Sequence, residues 1–270
     1  MKIRSIPHFA FLAATLGSAP LASAAIIVSE SFGGDGTNPL NSTKADFFSG
    51  AITTAGGSDT WVAASIFDDS GTVTVAATTQ SPGSAYLSLG SYINDHKGAS
   101  DGKFIAKATL DADGLTSWYG LSFFVNSTFS TADTFTSQGS GTIIHRSEES
   151  GDVVDAFGGT NTDLGVDGGT TVYTTGATLT IILDLTAAGG YNGTDNFGDI
   201  EFQVNGSTIG TKQEFTTDRT FGSIGLTAIG GSQPVLNNAY ATSFQLEQIP
   251  EPSAALLGGL GALLLLRRRR

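Results

Sequence analysis

The middle of this chain is made of short runs in which apolar and polar residues alternate, or in which β-branched residues cluster. Alternation with a period of two is typical of β-strands, whose side chains point in turn to opposite faces. No stretch between residues 25 and 249 has the 3.6-residue period of a long amphipathic helix. Gly, Asp, Asn and Ser separate the runs and favour turns. The predicted strands are 26–32, 73–77, 85–89, 104–110, 118–125, 142–146, 153–157, 171–174, 179–185, 200–204, 223–228 and 240–246.

The connections between these strands are of two kinds. Asn205-Gly206 separates the run 201–204 from residues 207–210 and predicts a tight hairpin, because both residues tolerate the left-handed backbone that such turns need. Three other connections are long, at residues 33–60, 90–103 and 187–198. Long loops on a rigid β scaffold often hold binding sites, although they can also vary without a role. We expect the first and last strands to pair.

This pattern predicts an all-β protein, with an antiparallel β-sandwich over residues 25–247. The composition agrees, because 40% hydrophobic residues suffice for a core while charged residues make up only 14%. Glycine is abundant, with 36 residues, and favours tight turns. The sequence has no cysteine, so the fold is stable without disulfides and zinc sites built on cysteine are excluded.

The order of several segments in the body resembles a known class of sandwich. The segments are 29–32, 117–125, 164–166, 179–185, 200–205 and 240–246. Their order is similar to that of concanavalin-like, or laminin-G-like, jelly-roll domains. The resemblance implies a jelly-roll fold and a lectin-like architecture.

The N-terminus has the three-part layout of a secretory signal peptide. Lys2 and Arg4 supply the positive start, residues 9–17 are mostly apolar, and Ala22-Ser23-Ala24 places small residues at the −3 and −1 positions. We therefore expect residues 1–24 to direct export through the Sec machinery and to be removed after Ala24. The apolar run is too short for a permanent membrane anchor.

The C-terminus, residues 248–270, combines a Pro-rich motif, an apolar run and a basic end. Pro250, Glu251 and Pro252 precede 14 mostly apolar residues, 253–266. A full membrane span needs about 20 residues, so this segment is a marginal transmembrane helix. Terminal arginines would hold that end in the cytoplasm and leave the body outside. The basic cluster consists of Arg267, Arg268, Arg269 and Arg270.

This tail resembles the PEP-CTERM sorting signal of bacterial surface proteins. Pro250, Glu251 and Pro252 match the motif, and the apolar run and arginine cluster follow in the same order. The resemblance implies an exosortase, a membrane enzyme, as processing partner. It also implies a transient stay in the inner membrane, then release to the cell surface or the extracellular matrix. A plain tail anchor is the alternative.

The charge of the body limits the class of partner. Residues 25–249 contain seven basic and 24 acidic residues, a net charge of −17. Such a surface repels the phosphate backbone, so we expect no nucleic acid partner. Acidity is also common in secreted proteins and helps solubility.

Two of the usual catalytic motifs are absent from the sequence, which contains no His-Glu-x-x-His and no phosphate-binding Gly-rich loop. Asp199 and Glu201 alternate on a predicted strand, as paired carboxylates of jelly-roll glycanases do, but the fuller Glu-x-Asp-x-x-Glu pattern is missing. We therefore expect a non-catalytic protein, with a glycan-cleaving enzyme as the alternative.

Two weaker patterns concern ligands. Asp111 and Asp113 precede Gly114 in the alternate spacing of a calcium loop, although a turn closed by Asp side chains explains them equally. Trp61, Tyr92 and Tyr191 lie in or beside the long loops and are candidates for stacking on sugars; burial in the core is the alternative. The sequence thus predicts an exported surface or matrix protein that binds polysaccharide, or a purely structural body with no ligand.

Overall fold

The structure, a computed structural model, describes residues 24–32, 40–69, 73–75, 82–112, 118–146, 153–157, 163–167, 176–229 and 239–250. In this part of the chain there are three short helices, α1 (Gly50–Thr54), α2 (Tyr92–Asp95) and α3 (Phe135–Gln138). The strands are β1 (Ala25–Glu30), β2 (Phe47–Phe48), β3 (Val62–Ala63), β4 (Phe67–Asp69), β5 (Val73–Val75), β6 (Gly83–Ser88), β7 (Lys103–Ala112), β8 (Trp118–Phe124), β9 (Gly139–Arg146), β10 (Val153–Phe157), β11 (Asp163–Asp167), β12 (Ala177–Asp184), β13 (Asp199–Val204), β14 (Ser207–Glu214), β15 (Ser223–Ile229) and β16 (Ala239–Ile249).

These strands form two sheets, and every pair of described strands is antiparallel. The first sheet has the order β14-β13-β12-β7-β16-β1-β2, with β5 also paired to β16 and β4 to β5. The second sheet has the order β11-β10-β9-β8-β15-β6-β3. The predicted all-β, antiparallel architecture is confirmed.

Most of the strands follow from the alternation in the sequence. The run 153–157 is β10 residue for residue, and the hairpin at Asn205-Gly206 joins β13 to β14 with positive φ at both turn residues (50° and 77°). The predicted run 171–174 lies outside the described residues. β2 and β3 are only two residues long and β4 three, too short for a period of two to be recognised.

One hydrophobic core fills the space between the two sheets. Inward side chains of β12, such as Leu179 and Ile181, and of β8, such as Leu121 and Phe123, belong to the same buried cluster. The sheets approach closely at Gly141 of β9, where an added Cβ would lie 2.3 Å from Ile200 Cδ1 of β13. This contact between layers fixes the described body as a β-sandwich.

The outer faces of the two sheets differ. On the first sheet the outward positions of β7, β12 and β13 are polar or half-buried and bear ion pairs, including Lys107 with Glu247 (2.6 Å). On the second sheet β6, β8 and β15 are buried on both faces.

A segment that we call the strap, residues 126–138, covers the second sheet's outer face. The Phe129 ring stacks on Tyr86 with centroids 4.1 Å apart. The Tyr86 hydroxyl donates to the Phe129 carbonyl (2.9 Å) and accepts from the Phe129 amide (3.0 Å). Ser84 donates to the Asp133 carbonyl (2.8 Å), and Thr227 accepts from the Phe135 amide (3.3 Å).

The first and last strands pair, as predicted. β1 lies beside β16 with Ala25 opposite Gln248, and β16 continues to Ile249, immediately before Pro250. Residues 1–23 and 251–270 lie outside the described residues, and so does the predicted apolar helix 253–266. Among the helices that are described, none is long and apolar enough to cross a membrane.

Candidate functional site

Three connections meet at one end of the sandwich. We call them the loop cluster: residues 90–102, which include α2, residues 185–198, and residues 215–222. The strands that they join are neighbours in register, since Asp184 lies opposite both Lys103 and Asp199, and Asp199 lies opposite Glu214. Two of the three long loops predicted from the sequence therefore form one surface.

Main-chain hydrogen bonds hold the three segments together. The Gly98 amide donates to the Leu185 carbonyl (2.7 Å), and the Phe197 amide donates to the Phe215 carbonyl (2.9 Å). The side chain of Asn94 on α2 both donates to the Phe221 carbonyl (3.2 Å) and accepts from its amide (3.1 Å). The loop cluster is thus built on a fixed scaffold, which limits the entropy that a bound ligand would have to remove.

The segment 185–198 also has its own internal order. The Asn192 side-chain oxygen accepts from the amides of Thr194, Asp195 and Asn196 at 2.9–3.1 Å. The backbone turns back to β13 at Gly198, where φ is 100° and an added Cβ would lie 2.7 Å from the Asp184 carbonyl oxygen. Only glycine fits this left-handed, close approach.

Tyr191 is the partly exposed aromatic residue of this segment. Its amide donates to the Thr186 carbonyl (3.0 Å), and its ring contacts Phe197 edge to face, with centroids 6.2 Å apart. Gly98 lies against the ring, because an added Cβ there would be 3.3 Å from Tyr191 Cδ1. Burial raises the pKa of Tyr191, and the negative charge of Asp218 raises it further.

The third segment brings charged groups to the loop cluster. Lys97 Nζ lies 2.7 Å from Asp218 Oδ1 and donates to the Arg219 carbonyl (2.6 Å). The guanidinium carbon of Arg219 lies 4.9 Å from the centroid of the Phe215 ring. A carboxylate and two cations therefore lie on the loop cluster together with the partly exposed ring of Tyr191.

Sequence reasoning missed this third segment. Residues 215–222 are short, and the charges of Asp218 and Arg219 lie between two phenylalanines, Phe215 and Phe221. Both rings are buried, with centroids 6.0 Å apart. A polar stretch between two apolar anchors is a sequence signal that could have identified this loop.

Trp61 and Tyr92 lie in the core, which corrects the expectation that they offer sugars an exposed ring. Trp61 is 1% exposed, packs against Phe244 and donates to Glu30 Oε2 (3.1 Å). Tyr92 is 7% exposed and donates to Gln248 Oε1 (2.7 Å). Burial raises the pKa of Tyr92, and the charge of Asp101 adds to this effect. Of the three aromatic candidates, Tyr191 alone is more than marginally exposed.

Asp199 and Glu201 share the outer face of β13, as the alternation predicted. Asp199 is buried and accepts a hydrogen bond from Lys212. Glu201 accepts from Thr208 (2.6 Å) and Gln203 (2.8 Å), and these two hydrogen bonds lower its pKa. A general acid needs a raised pKa, so Glu201 is poorly suited to protonate a glycosidic oxygen.

The remaining predicted residues fall largely outside what the structure describes. The backbone of Asp111 belongs to β7, whereas Asp113 lies beyond the described residues. Among described residues, no group of three or more His, Asp or Glu is placed to hold a metal ion. Ala24 is exposed and Pro250 is half-buried. The residues outside the described part are Ala22, Glu251, Pro252, Arg267, Arg268, Arg269 and Arg270.

The fold and the loop cluster define this chain as an antiparallel β-sandwich with one convergent loop surface. No protein-family model matches the chain, and no curated protein matches it. Among solved structures it is similar to the carbohydrate recognition domain of Emp47p, at 13% identity over 84% of this chain and 97% of that one, with a TM-score of 0.46.

Two further structures give similar values. The metal-free exoplasmic/lumenal domain of VIP36 is 10% identical over 84% of this chain and 94% of that one, with a TM-score of 0.44. The potassium-bound carbohydrate recognition domain of Emp46p is 12% identical over 69% and 87%, with a TM-score of 0.43.

Proposed function

We propose that this chain is an exported bacterial surface or matrix protein whose β-sandwich, of the concanavalin-like jelly-roll type, binds glycan without cleaving it. The observation that carries the binding proposal is the position of Tyr191. Its ring is held by Phe197 and Gly98 on a loop cluster fixed by main-chain hydrogen bonds. Loops on a rigid scaffold are where binding sites concentrate.

The chemistry of the loop cluster suits a sugar. A pyranose ring has an apolar face and a rim of hydroxyl groups, so it needs an aromatic surface beside hydrogen-bond donors and acceptors. Tyr191 supplies the aromatic surface and a hydroxyl. Asp218, whose side chain is 56% exposed, supplies acceptors beside Lys97. A few polar groups next to a ring are the usual means of orienting a small polar ligand.

The route to the surface is proposed from the two ends of the chain. The leader 1–24 would direct export through the Sec machinery. The tail would hold the protein in the inner membrane until an exosortase cuts near Pro250, Glu251 and Pro252. In support, β16, the last strand among the described residues, ends at Ile249, next to Pro250 of the motif.

The non-catalytic assignment rests on the one carboxylate pair that the sequence singled out. Asp199 is engaged by Lys212, and hydrogen bonds keep Glu201 ionised to lower pH. Glu201 is therefore poorly suited to be the protonated partner that glycoside hydrolysis requires. A structural calcium ion, with Asp111 and Asp113 as candidate ligands, stays part of the proposal.

The proposal is tested by applying the full chain to a polysaccharide array, with and without calcium, while measuring bound protein and released sugar together. We expect saturable binding without release. Tyr191→Ala should weaken binding about tenfold or more through the lost ring contact. Phe47→Ala is the control, because Phe47 is 48% exposed on β2, outside the loop cluster.

The outcomes separate the competing functions. Release of sugar would identify a glycan-cleaving enzyme and contradict the proposal. An absence of binding to every polysaccharide would identify a purely structural body. Equal loss of binding in the Tyr191 and Phe47 variants would place the glycan elsewhere on the sandwich. Loss of binding on chelation would support the calcium ion.

A further inference from the structure

Arg219 differs from the described lysines in having no acidic partner among the residues that the structure describes. Each of the five lysines in the described part of the chain lies within 3.2 Å of a carboxylate oxygen. Within the same residues, the Arg219 guanidinium has no hydrogen bond or ion pair, and its Nε is buried. In a body with a net charge of −17, a cation without a carboxylate is an exception.

The acid nearest to Arg219 in sequence is already engaged. Asp218 forms its ion pair with Lys97 (2.7 Å), and Lys97 also donates to the Arg219 carbonyl (2.6 Å). Lys97 therefore neutralises the carboxylate that would otherwise attract the guanidinium. The positive charge of Arg219 is left available to a group from outside the chain.

The Arg219 side chain is nevertheless held in place. Its guanidinium carbon lies 4.9 Å from the Phe215 ring centroid, and Phe215 itself is 3% exposed. Contact with an aromatic face orients a guanidinium plane. Burial lowers the pKa of Arg219, and the residue as a whole is partly exposed. A guanidinium that is fixed in position and partly exposed can bind a planar anion with little further loss of side-chain freedom.

A carboxylate is the anion that fits this group and its surroundings. The planar fork of arginine matches the two oxygens of a carboxylate with two parallel hydrogen bonds. Tyr191 lies on the same loop cluster, near enough to Asp218 for its charge to affect the tyrosine. A uronate residue joins a sugar ring and a carboxylate in one unit.

We infer that the loop cluster binds an acidic polysaccharide, with Arg219 as the residue that recognises its uronate carboxylate. This inference rests on the proposed glycan binding and names the chemical class of the ligand. Lys97 acts as a positioning residue, because it pairs with Asp218 and donates to the Arg219 carbonyl.

The test is calorimetric titration of the full chain, purified in mild detergent, with oligogalacturonate and with the same oligomer after methyl esterification. Esterification removes the charge and keeps the sugar rings. We expect the esterified oligomer to bind about tenfold more weakly or worse, since bidentate charge-assisted hydrogen bonds are lost. Arg219→Gln should weaken binding of the acidic oligomer by a similar factor and leave binding of the ester unchanged.

Two further variants keep the test decisive. Arg219→Lys retains the charge without the planar fork, so its affinity should fall between those of the wild type and Arg219→Gln. Lys44→Gln is the control, because it removes one positive charge at a position distant in sequence from Arg219. Lys44 is 71% exposed and paired with Asp59, so this variant should change the affinity less than about twofold. Thermal melting of each variant establishes that it is folded.

The results distinguish this inference from the proposed function. If the acidic and esterified oligomers bind equally, or if Arg219→Gln binds like the wild type, the carboxylate assignment is overturned. Binding to neutral glycans alone, lost in Tyr191→Ala, would keep the proposed function and remove the inference. If no glycan binds at all, both fall.

Discussion

The outer faces of the two sheets differ in how they accommodate their polar side chains. The outer face of the first sheet carries charged and hydroxyl side chains, and there the partly exposed Lys107 pairs with the buried Glu247. The second sheet places Tyr86, Ser122 and Thr227 on its outer face and buries them, with the strap across Tyr86 and Thr227. One face is stabilised by water and ion pairs, and the other by a covering segment. The difference shows that an outward position in a strand is not equivalent to an exposed one.

The strap provides hydrogen-bond partners for the polar residues that it buries. A buried hydroxyl is costly unless it is hydrogen-bonded. Here the hydroxyls of Ser84 and Thr227 bond to backbone groups of the strap, and Tyr86 bonds to both the amide and the carbonyl of Phe129. The same hydrogen bonds satisfy the backbone of a segment that is mostly non-helical. Sheet and strap therefore depend on each other.

The largest predicted effect contrasts two outward residues. Tyr86→Ala removes a ring stacked on Phe129 and should cost about 3–5 kcal/mol of unfolding free energy, as in a core. Ile182→Ala, at a half-buried outward position of β12, should cost about 1–2 kcal/mol. Urea unfolding of both variants measures the contrast. Equal losses would show that the strap contributes no core-like packing.

A smaller effect separates hydroxyls on the two faces. Thr227→Val removes the hydroxyl that accepts a hydrogen bond from the buried Phe135 amide and should cost about 1–3 kcal/mol. Thr180→Val is the matched change on the first sheet. Among the described residues the buried Thr180 hydroxyl has no hydrogen-bond partner, so its removal should change the unfolding free energy by no more than about 0.5 kcal/mol. Hydrogen exchange at Phe135 gives a second measurement. A protected amide in Thr227→Val would contradict the assigned bond.

These contrasts explain which parts of the fold the sequence could predict. In β12 the inward Leu179, Ile181 and Leu183 alternate with mostly polar outward residues, so the strand was recognised with bounds close to those observed. In β8 every described side chain is buried, and Gly120 and Ser122 stand on the covered face. The pattern still predicted a strand, but alternation carries no information about what covers a face.

The candidate site shows the same limit. Two long loops were identified by length, and Tyr191 by residue type. Trp61 and Tyr92 have the same residue chemistry, yet both are core residues, because burial depends on contacts distant in sequence, Phe244 and Gln248. Arg219 was missed because its lack of an acidic partner among the described residues can be seen only in the three-dimensional structure. A sequence cannot show that Asp218 is engaged by Lys97, 121 positions away.

The smallest predicted effect depends on pH and concerns Asp184, which lies on the first sheet. Burial works to raise the pKa of Asp184, but hydrogen bonds from Thr186 and Lys103 outweigh it, and the net effect lowers the pKa. A carboxyl whose pKa is lowered by folding stabilises the native state above its unfolded pKa of about 3.9, and loses that contribution as pH falls through the lower folded value.

Asp184→Asn should therefore reduce the unfolding free energy at pH 7 by up to about 1 kcal/mol, since the Lys103 pair is partly solvated. The difference from the wild type should shrink as pH falls from about 4 towards 2. Urea unfolding at stepped pH measures it. The Thr227→Val loss should stay constant over the same range, because neither partner of that hydrogen bond titrates. A constant Asp184→Asn difference would mean that the carboxylate's charge does not stabilise the first sheet. A Thr227→Val loss that varied with pH would mean that the strap is coupled to titrating groups, and the two faces would then not be independent.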